Sequence, residues 1–381
     1  MRKRFCFWFA AAAVALVSAH STHAATPAPQ APDVPAKAWL LVDYQSGQVL
    51  AARSAETVLP PASLTKLAVS YVLFQHLRDG KLKLTDRVTV SAHAAEAKGA
   101  RMFLQASETI DVEALIKGLL VVSANDAAVA LAEHVAGSDA TFVAQMNAAT
   151  RALGMSNTNF VTVNGLPATG HVSTAHDLAR LAAALLRDFP EYYSWFSIKD
   201  LTYHSIRQFN RNALLWRDPT VDGFKTGQTR EAGFCLVASA KRGEMRLIAV
   251  VLGAADENAR VIAAQQLLDY GFRYYETRLL YPARTPVAKV RILMGDASTL
   301  ALGPAQDLYL TLPRGWHEHV RARLTVKQEQ VAPVHAGQVI GALVIDVDQD
   351  PVSEYPLVAL DEVAEGNVFQ RAADHVRLWF Q

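Results

Sequence analysis

Strand-like runs near both ends of one long region, with helix-like sequence between them, constrain this chain most. The run "AKAWLLVDYQSGQVLAARSA" reads as two strands joined at Gln45-Ser46-Gly47, and "VDGFKTGQT", "GFCLVASA" and "MRLIAVVLGA" read as three more in succession. Between them a helix enters at Pro60-Pro61 near Ser63 and stops at Arg78-Asp79-Gly80, and alanine-rich helical patterns fill 111–154 and 176–187. A last helix, "ENARVIAAQQLLDYGFRYYE", closes the region. Strands that must pair across such a gap imply one antiparallel sheet covered by helices, an α+β domain over residues 36–277.

The pattern changes at Tyr281-Pro282. Short alternating runs ("VAKVRI", "DLYLTL", "VRARLTV", "QVIGALVI") predict a small all-β domain over 285–364. Within it His317 and His319 fall on one face of an expected strand, which reads as a solvated face because no third metal ligand accompanies them. The terminal "GNVFQRAADHVRLWFQ" predicts an amphipathic helix over 366–381. Val368, Phe369, Val376, Trp379 and Phe380 gather on one side and Arg371, Asp374 and Arg377 on the other, a segment suited to lying in a membrane interface.

At the other end, Arg2, Lys3 and Arg4 precede an apolar run and small residues at Thr22 and Ala24, the pattern of a secretory signal peptide over 1–24. A Pro-rich spacer follows over 25–35. Loss of the leader's three basic residues leaves 34 basic against 36 acidic, so the exported chain is nearly neutral and lacks the basic footprint of a nucleic-acid-binding protein. Of the two cysteines Cys6 lies in the leader, so Cys235 alone remains and stability rests on packing without an internal disulfide. The 381 residues, 51% hydrophobic, suffice for that.

Three short motifs carry the chemistry. Ser63 and Lys66 stand one helical turn apart, where an amine made neutral by burial can take the proton of a hydroxyl nucleophile. A helix start at Ser63 also aims backbone N–H groups at an oxyanion. Ser123 and Asn125, at a break between helical runs, offer a proton relay and an amide. Lys225, Thr226 and Gly227 put a cation, a hydroxyl and a bare backbone on a strand. Ser-x-x-Lys, Ser-x-Asn and Lys-Thr-Gly in this order form the penicillin-recognising serine acyl-enzyme pattern.

On these motifs and the domain order the chain resembles the low-molecular-mass penicillin-binding proteins of the D-alanyl-D-alanine carboxypeptidase family. The resemblance implies a β-lactamase/transpeptidase-like domain, then a β domain and an amphipathic anchor. It also implies cleavage of the terminal D-alanine of peptidoglycan stem peptides through an acyl-serine, acylation by β-lactams, no cofactor, and residence on the periplasmic face of the cytoplasmic membrane. Arg260 falls where the family binds the substrate's terminal carboxylate, and Asp188 resembles a carboxylate in the hydrogen-bond network near the site. Asn164 and Gln228 stand where well-known relatives carry histidine, which puts histidine-assisted deacylation in doubt.

Two other functions share these motifs. A serine β-lactamase of class A needs a carboxylate in an E-x-x-x-N segment, and neither Glu133 nor Glu191 has an asparagine four residues on. A catalytically idle peptidoglycan-binding module would have no need of the intact triplet.

Overall fold

Side chains alternate between two cores along the strands of the main sheet. From β1 (Ala38–Asp43) Leu40 enters one core, and Trp39 and Leu41 enter the other. A late strand does the same, with Ile248 and Val250 on one face and Leu247, Ala249 and Val251 on the other. With both faces covered, these strands are apolar throughout. The sheet has β2 (Val49–Arg53), β3 (Val221–Thr229), β4 (Gly233–Arg242) and β5 (Met245–Ala254) beside β1, in the antiparallel order β2-β1-β5-β4-β3. This leaves β3 with a free outer edge. The structure, a computed structural model, describes residues 29–326, 329–368, 370, 371 and 374. The expected leader, 1–24, and most of the expected helix at 366–381 lie outside them.

One face of the sheet carries five main helices: α1 (Thr65–Arg78), α2 (Val112–Val121), α3 (Asn125–Ala136), α4 (Asp139–Ala152) and α5 (Ala175–Asp188). The other carries α6 (Glu257–Tyr274). α1 is the central rod, with every residue from Thr65 to Phe74 buried. A helix enclosed on all sides has no polar stripe, which explains the near-continuous apolar run around Lys66. It begins later than expected: Ser63 sits in a 3-10 turn, Ala62–Leu64, ahead of the α-helix.

Two small two-stranded sheets, Arg87–Thr89 with Thr109–Asp111 and Asp200–Tyr203 with Ile206–Phe209, escaped the sequence reading because strands of three or four residues carry almost no period.

The second domain starts before residue 285. α6 runs directly into β6 (Tyr275–Tyr281), which pairs with the later strand Leu308–Pro313. In chain order there follow β7 (Ala288–Leu293), β8 (Thr299–Pro304), β9 (Leu308–Pro313), β10 (Val320–Val326), β11 (Glu329–Val331), β12 (Val339–Val347) and β13 (Asp350–Ala359). All but β6 and β9 join one sheet in the order β10-β12-β13-β8-β7-β11. A polar clasp ties the domains together: Asp43 Oδ2 accepts from Thr277 (2.7 Å), and Ser46 Oγ lies 2.6 Å from Thr311 Oγ1.

Two expectations need correction. His317 and His319 lie in a 3-10 turn, Trp316–His319, and not on a strand; His317 is buried against the Glu276 carbonyl and His319 pairs with Asp348. The described part of the Pro-rich spacer is docked, because Val34 is fully buried and Tyr270 Oη donates to Pro29 O. Separately, the described residues at the C-terminus contact the β domain: Gly366 N–H donates to Met294 O, and Met294 N–H to Asp374 Oδ2.

The α2–α3 corner depends on one buried carboxylate. Asp126 accepts the N–H groups of Met102 and Leu104, each at 3.1 Å, and so holds the 99–105 loop against α3. Each buried N–H left without an acceptor costs about 1–3 kcal/mol. Asp126→Ala is therefore expected to lower unfolding stability by roughly 2–5 kcal/mol, read from urea titration; a loss under about 1 kcal/mol would show that this loop finds other partners.

Candidate active site

Three separate segments meet in a cleft of about 450 Å³ whose lining includes Ser63, Ser123, Asn125, Thr226 and Gly227. The turn after β2 brings Ser63, the break between α2 and α3 brings Ser123 and Asn125, and β3 brings the Lys-Thr-Gly run. Their contact demands residues without side chains. A Cβ on Gly227 would lie 3.0 Å from Pro61 O and 3.2 Å from Leu64 N, so this glycine admits the nucleophile's turn against the strand as well as leaving its edge bare. Gly165 comes closer still, where a Cβ would fall 2.1 Å from Ala62 O.

Lys66 is completely buried. Its Nζ donates to Asn125 Oδ1 at 2.6 Å and to Asn164 O at 2.7 Å, and stands 3.4 Å from Ser63 Oγ. Burial drives its pKa down from 10.5 to about 7, with the nearby Arg211 adding to the fall and Asp126 opposing it. A neutral amine keeps two hydrogens, which the two carbonyl oxygens take, and its lone pair is left for the Ser63 hydroxyl. The amide of Asn125 cannot flip without loss, since its Nδ2 donates to Lys98 O at 2.6 Å. Asn164 acts on Lys66 through its backbone carbonyl while its side chain caps Leu166 N–H, so the residue type at 164 leaves the base untouched.

Ser123 is buried at a φ of +64°, and its hydroxyl has no partner among the described residues. Both conditions are costly for a serine, and both are at home where a ligand completes the hydrogen bonding. Lys225 is also buried, its Nζ donating to Thr226 O at 3.2 Å. Burial, reinforced by Lys66, Arg211 and Arg260, pushes its pKa well below the usual lysine range. Arg260 borders the same cleft; its Nη2 holds Glu257 (2.6 Å) and Arg211 O (3.3 Å), and its buried Nε has no partner among the described residues. Gln228 lies exposed on the rim.

The expected free N–H groups at the helix start are fewer than supposed, because Leu64 N–H bonds Pro61 O and Thr65 N–H bonds Ala62 and Ser63 carbonyls. The Ser63 N–H is then the donor this turn can offer an oxyanion. Asp188 does not border the cleft. It closes α5, where it accepts from Tyr71 Oη at 2.8 Å and pairs with Arg187. Sequence reasoning missed Arg211, whose only signal was a basic residue in the polar "FNRN" link, and His171, which lies under the nucleophile's turn.

Comparison with known proteins agrees with this geometry. The family model for D-alanyl-D-alanine carboxypeptidase (peptidase family S11) matches residues 25–256, and that for the C-terminal domain of penicillin-binding protein 5 matches 275–365. The chain belongs to the D-alanyl-D-alanine carboxypeptidase family. It is 43% identical to D-alanyl-D-alanine carboxypeptidase DacC of Escherichia coli K12 over 359 residues, 92% of this chain and 90% of that one. Among solved structures, penicillin-binding protein 5 of Haemophilus influenzae superposes with a TM-score of 0.85 at 38% identity, covering 88% of this chain and all of that one. Penicillin-binding protein D2 of Listeria monocytogenes in its ampicillin-bound form has a TM-score of 0.57 at 31% identity, over 64% of this chain and all of that one. The transpeptidase-like fold with a C-terminal β domain is thus the fold of this family.

To act as a base, a lysine with its pKa near 7 must first lose its proton. The rate of Ser63 acylation is expected to rise with pH through about 7 and to level off above it. Stopped-flow acylation across pH 5–9 checks this, and a flat profile over that span would remove Lys66 from the role of base.

Proposed function

We infer that the protein is a serine-type D-alanyl-D-alanine carboxypeptidase, acting on peptidoglycan stem peptides that end in D-Ala-D-Ala. The observation that carries this is the fully buried Lys66, held by two carbonyl oxygens with its remaining direction open to Ser63 Oγ. Lys66 takes the Ser63 proton as Oγ attacks the penultimate carbonyl, and the Ser63 N–H steadies the oxyanion. Ser123, with its unpartnered hydroxyl, passes a proton to the departing D-alanine amine. Water then hydrolyses the acyl ester and restores the serine. The stem peptide lies along the outer edge of β3, an edge strand of the sheet. Its terminal carboxylate meets Lys225, Thr226 and Arg260, with Gln228 at the rim. β-Lactams enter by the same attack and acylate Ser63.

A class A β-lactamase mechanism finds no support in the cleft. Glu133 pairs with His93 away from it, Glu191 lies in a short helix, Pro190–Tyr193, and Glu257, the one carboxylate among the described lining residues, is held by Arg260. No cofactor enters the proposed chemistry.

Ser63→Ala is expected to abolish labelling by a fluorescent penicillin and release of D-alanine from a D-Ala-D-Ala pentapeptide, and Lys66→Ala to slow both about 10²–10⁴-fold. Undiminished labelling of Ser63→Ala would sink the acyl-serine reading, and a protein that binds the pentapeptide without releasing D-alanine would be the idle module. A guanidinium clamps a carboxylate with two hydrogen bonds, so Arg260→Ala should impair peptides ending in a free acid more than their amides. Equal losses on both would move Arg260 out of the binding role.

For location we propose export by the 1–24 leader and peripheral attachment to the periplasmic face of the cytoplasmic membrane through 366–381. Among the described residues no helix is long and apolar enough to cross a membrane. A protein ending at Glu365 should leave the membrane fraction while hydrolysing small D-Ala-D-Ala peptides normally. Identical partitioning of the full and shortened proteins would refute the anchor.

A further inference from the structure

The peptide plane between Ala62 and Ser63 is held from below by a chain of hydrogen bonds that starts at a buried histidine. His171 is 3% exposed, on the segment that returns to the domain through Val172 and Ser173. Its Nδ1 accepts the N–H of Val161 at 2.9 Å and lies 3.3 Å from that of Thr162. A ring nitrogen that accepts a backbone N–H has no hydrogen of its own, so in the neutral ring the hydrogen sits on Nε2. That Nε2–H points at Thr65 Oγ1, 2.8 Å away. Filled on its acceptor side, the threonine hydroxyl donates to Ala62 O at 2.7 Å. Every group in the chain thus has a fixed sense: Val161 N–H to imidazole, imidazole to Thr65, Thr65 to Ala62.

Ala62 needs such a hold. Its φ of +49° is left-handed, a strained conformation for a residue with a Cβ. In a trans peptide the carbonyl and the following N–H point in opposite directions across one plane. Fixing the direction of Ala62 O therefore fixes the direction of the Ser63 N–H, which faces away from Thr65, and fixes where Ser63 Oγ stands relative to Lys66.

We propose that His171 is a positioning residue for the acyl transfer: acting through Thr65, it locks the Ala62–Ser63 peptide plane and so aims the nucleophile and its N–H. The proposal rests on Ser63 being the nucleophile, which penicillin labelling of the unmodified protein tests separately.

The assay is the penicillin acylation rate per titrated Ser63, so that unfolded molecules drop out of the measurement. His171→Phe fills the ring's place and removes both of its nitrogens. It should slow acylation and peptide turnover about 10- to 100-fold, somewhat less than the 10²–10³ seen when an oxyanion donor is deleted outright. KM should change by less than about threefold, because the substrate contacts are intact. His171→Gln keeps an N–H near the Nε2 position and should recover most of the rate. Thr65→Val breaks the same chain one link on; it should reproduce the loss, and the His171→Phe/Thr65→Val double variant should be no slower than either alone, as one pathway requires. Additive losses, or a Thr65→Val protein acylated at the unmodified rate, would overturn the proposal even if His171→Phe fails to fold.

Discussion

The site depends on one lysine buried at the start of a helix that is itself enclosed on every side. Moving the Lys66 pKa from 10.5 to about 7 means that the interior disfavours the ammonium by roughly 4–5 kcal/mol. Against a total stability of about 5–15 kcal/mol for an ordinary domain, that is a large charge on the fold. It is sustained because α1 is packed by the helices around it and by the sheet, with Leu64, Leu67 and Leu73 fully inaccessible. The apolar surroundings that make the amine a base are the same contacts that hold the rod in place.

Burial alone would give a neutral lysine with no direction. Direction comes from the acceptors, Asn125 Oδ1 and Asn164 O, and each belongs to a segment tied in turn to its neighbour. Asn125 N–H bonds Ala100 O, and Asp126 beside it secures the loop through Met102 and Leu104. Gly99, at a φ of +92°, lies where any Cβ would come within 2.8 Å of Asn125 Nδ2. Three segments far apart in the chain close on one another at Gly99, Gly165 and Gly227, the points where a methyl group has no room.

What the sequence made legible follows from the range of the interactions. Ser63 and Lys66 are one turn apart, and Ser123 and Asn125 flank a break that a polar pair inside apolar helix announces, so their geometry is local. The five strands of the main sheet were legible because β1, β4 and β5 carry continuous apolar runs and β2 and β3 follow or precede them across short turns. Arg211 and His171 were not, since each meets the site through a tertiary approach that no spacing encodes, and the Asn164 contact is made by a carbonyl that every residue type carries. Asp188 marks the limit of resemblance. Its place at the end of α5 was legible, but its partners are Tyr71 and Arg187, one layer away from the cleft. The docking of Val34 beneath α6 was hidden because a proline-rich segment reads as a spacer whether or not a groove receives it.

The charges of the cleft give the reaction a direction. Arg211 and Arg260 line a space, with Lys66 and Lys225 buried beside it, that has one carboxylate among its described lining residues, Glu257, and both lysines are pushed toward neutrality by burial and by other cations. In the proposed reaction, a substrate with a terminal carboxylate supplies the missing negative charge beside Lys225, where it favours the ammonium and strengthens its own binding. Lys66 has its hydrogens committed to Asn125 and Asn164 and remains the group next to Ser63 Oγ. When D-alanine departs it takes that carboxylate with it, and the acyl-enzyme left behind faces a cleft that again disfavours positive charge on Lys225. On that proposal the bound anion is present for acylation and absent for hydrolysis, so the two halves of the reaction run in different electrostatic surroundings built from the same residues.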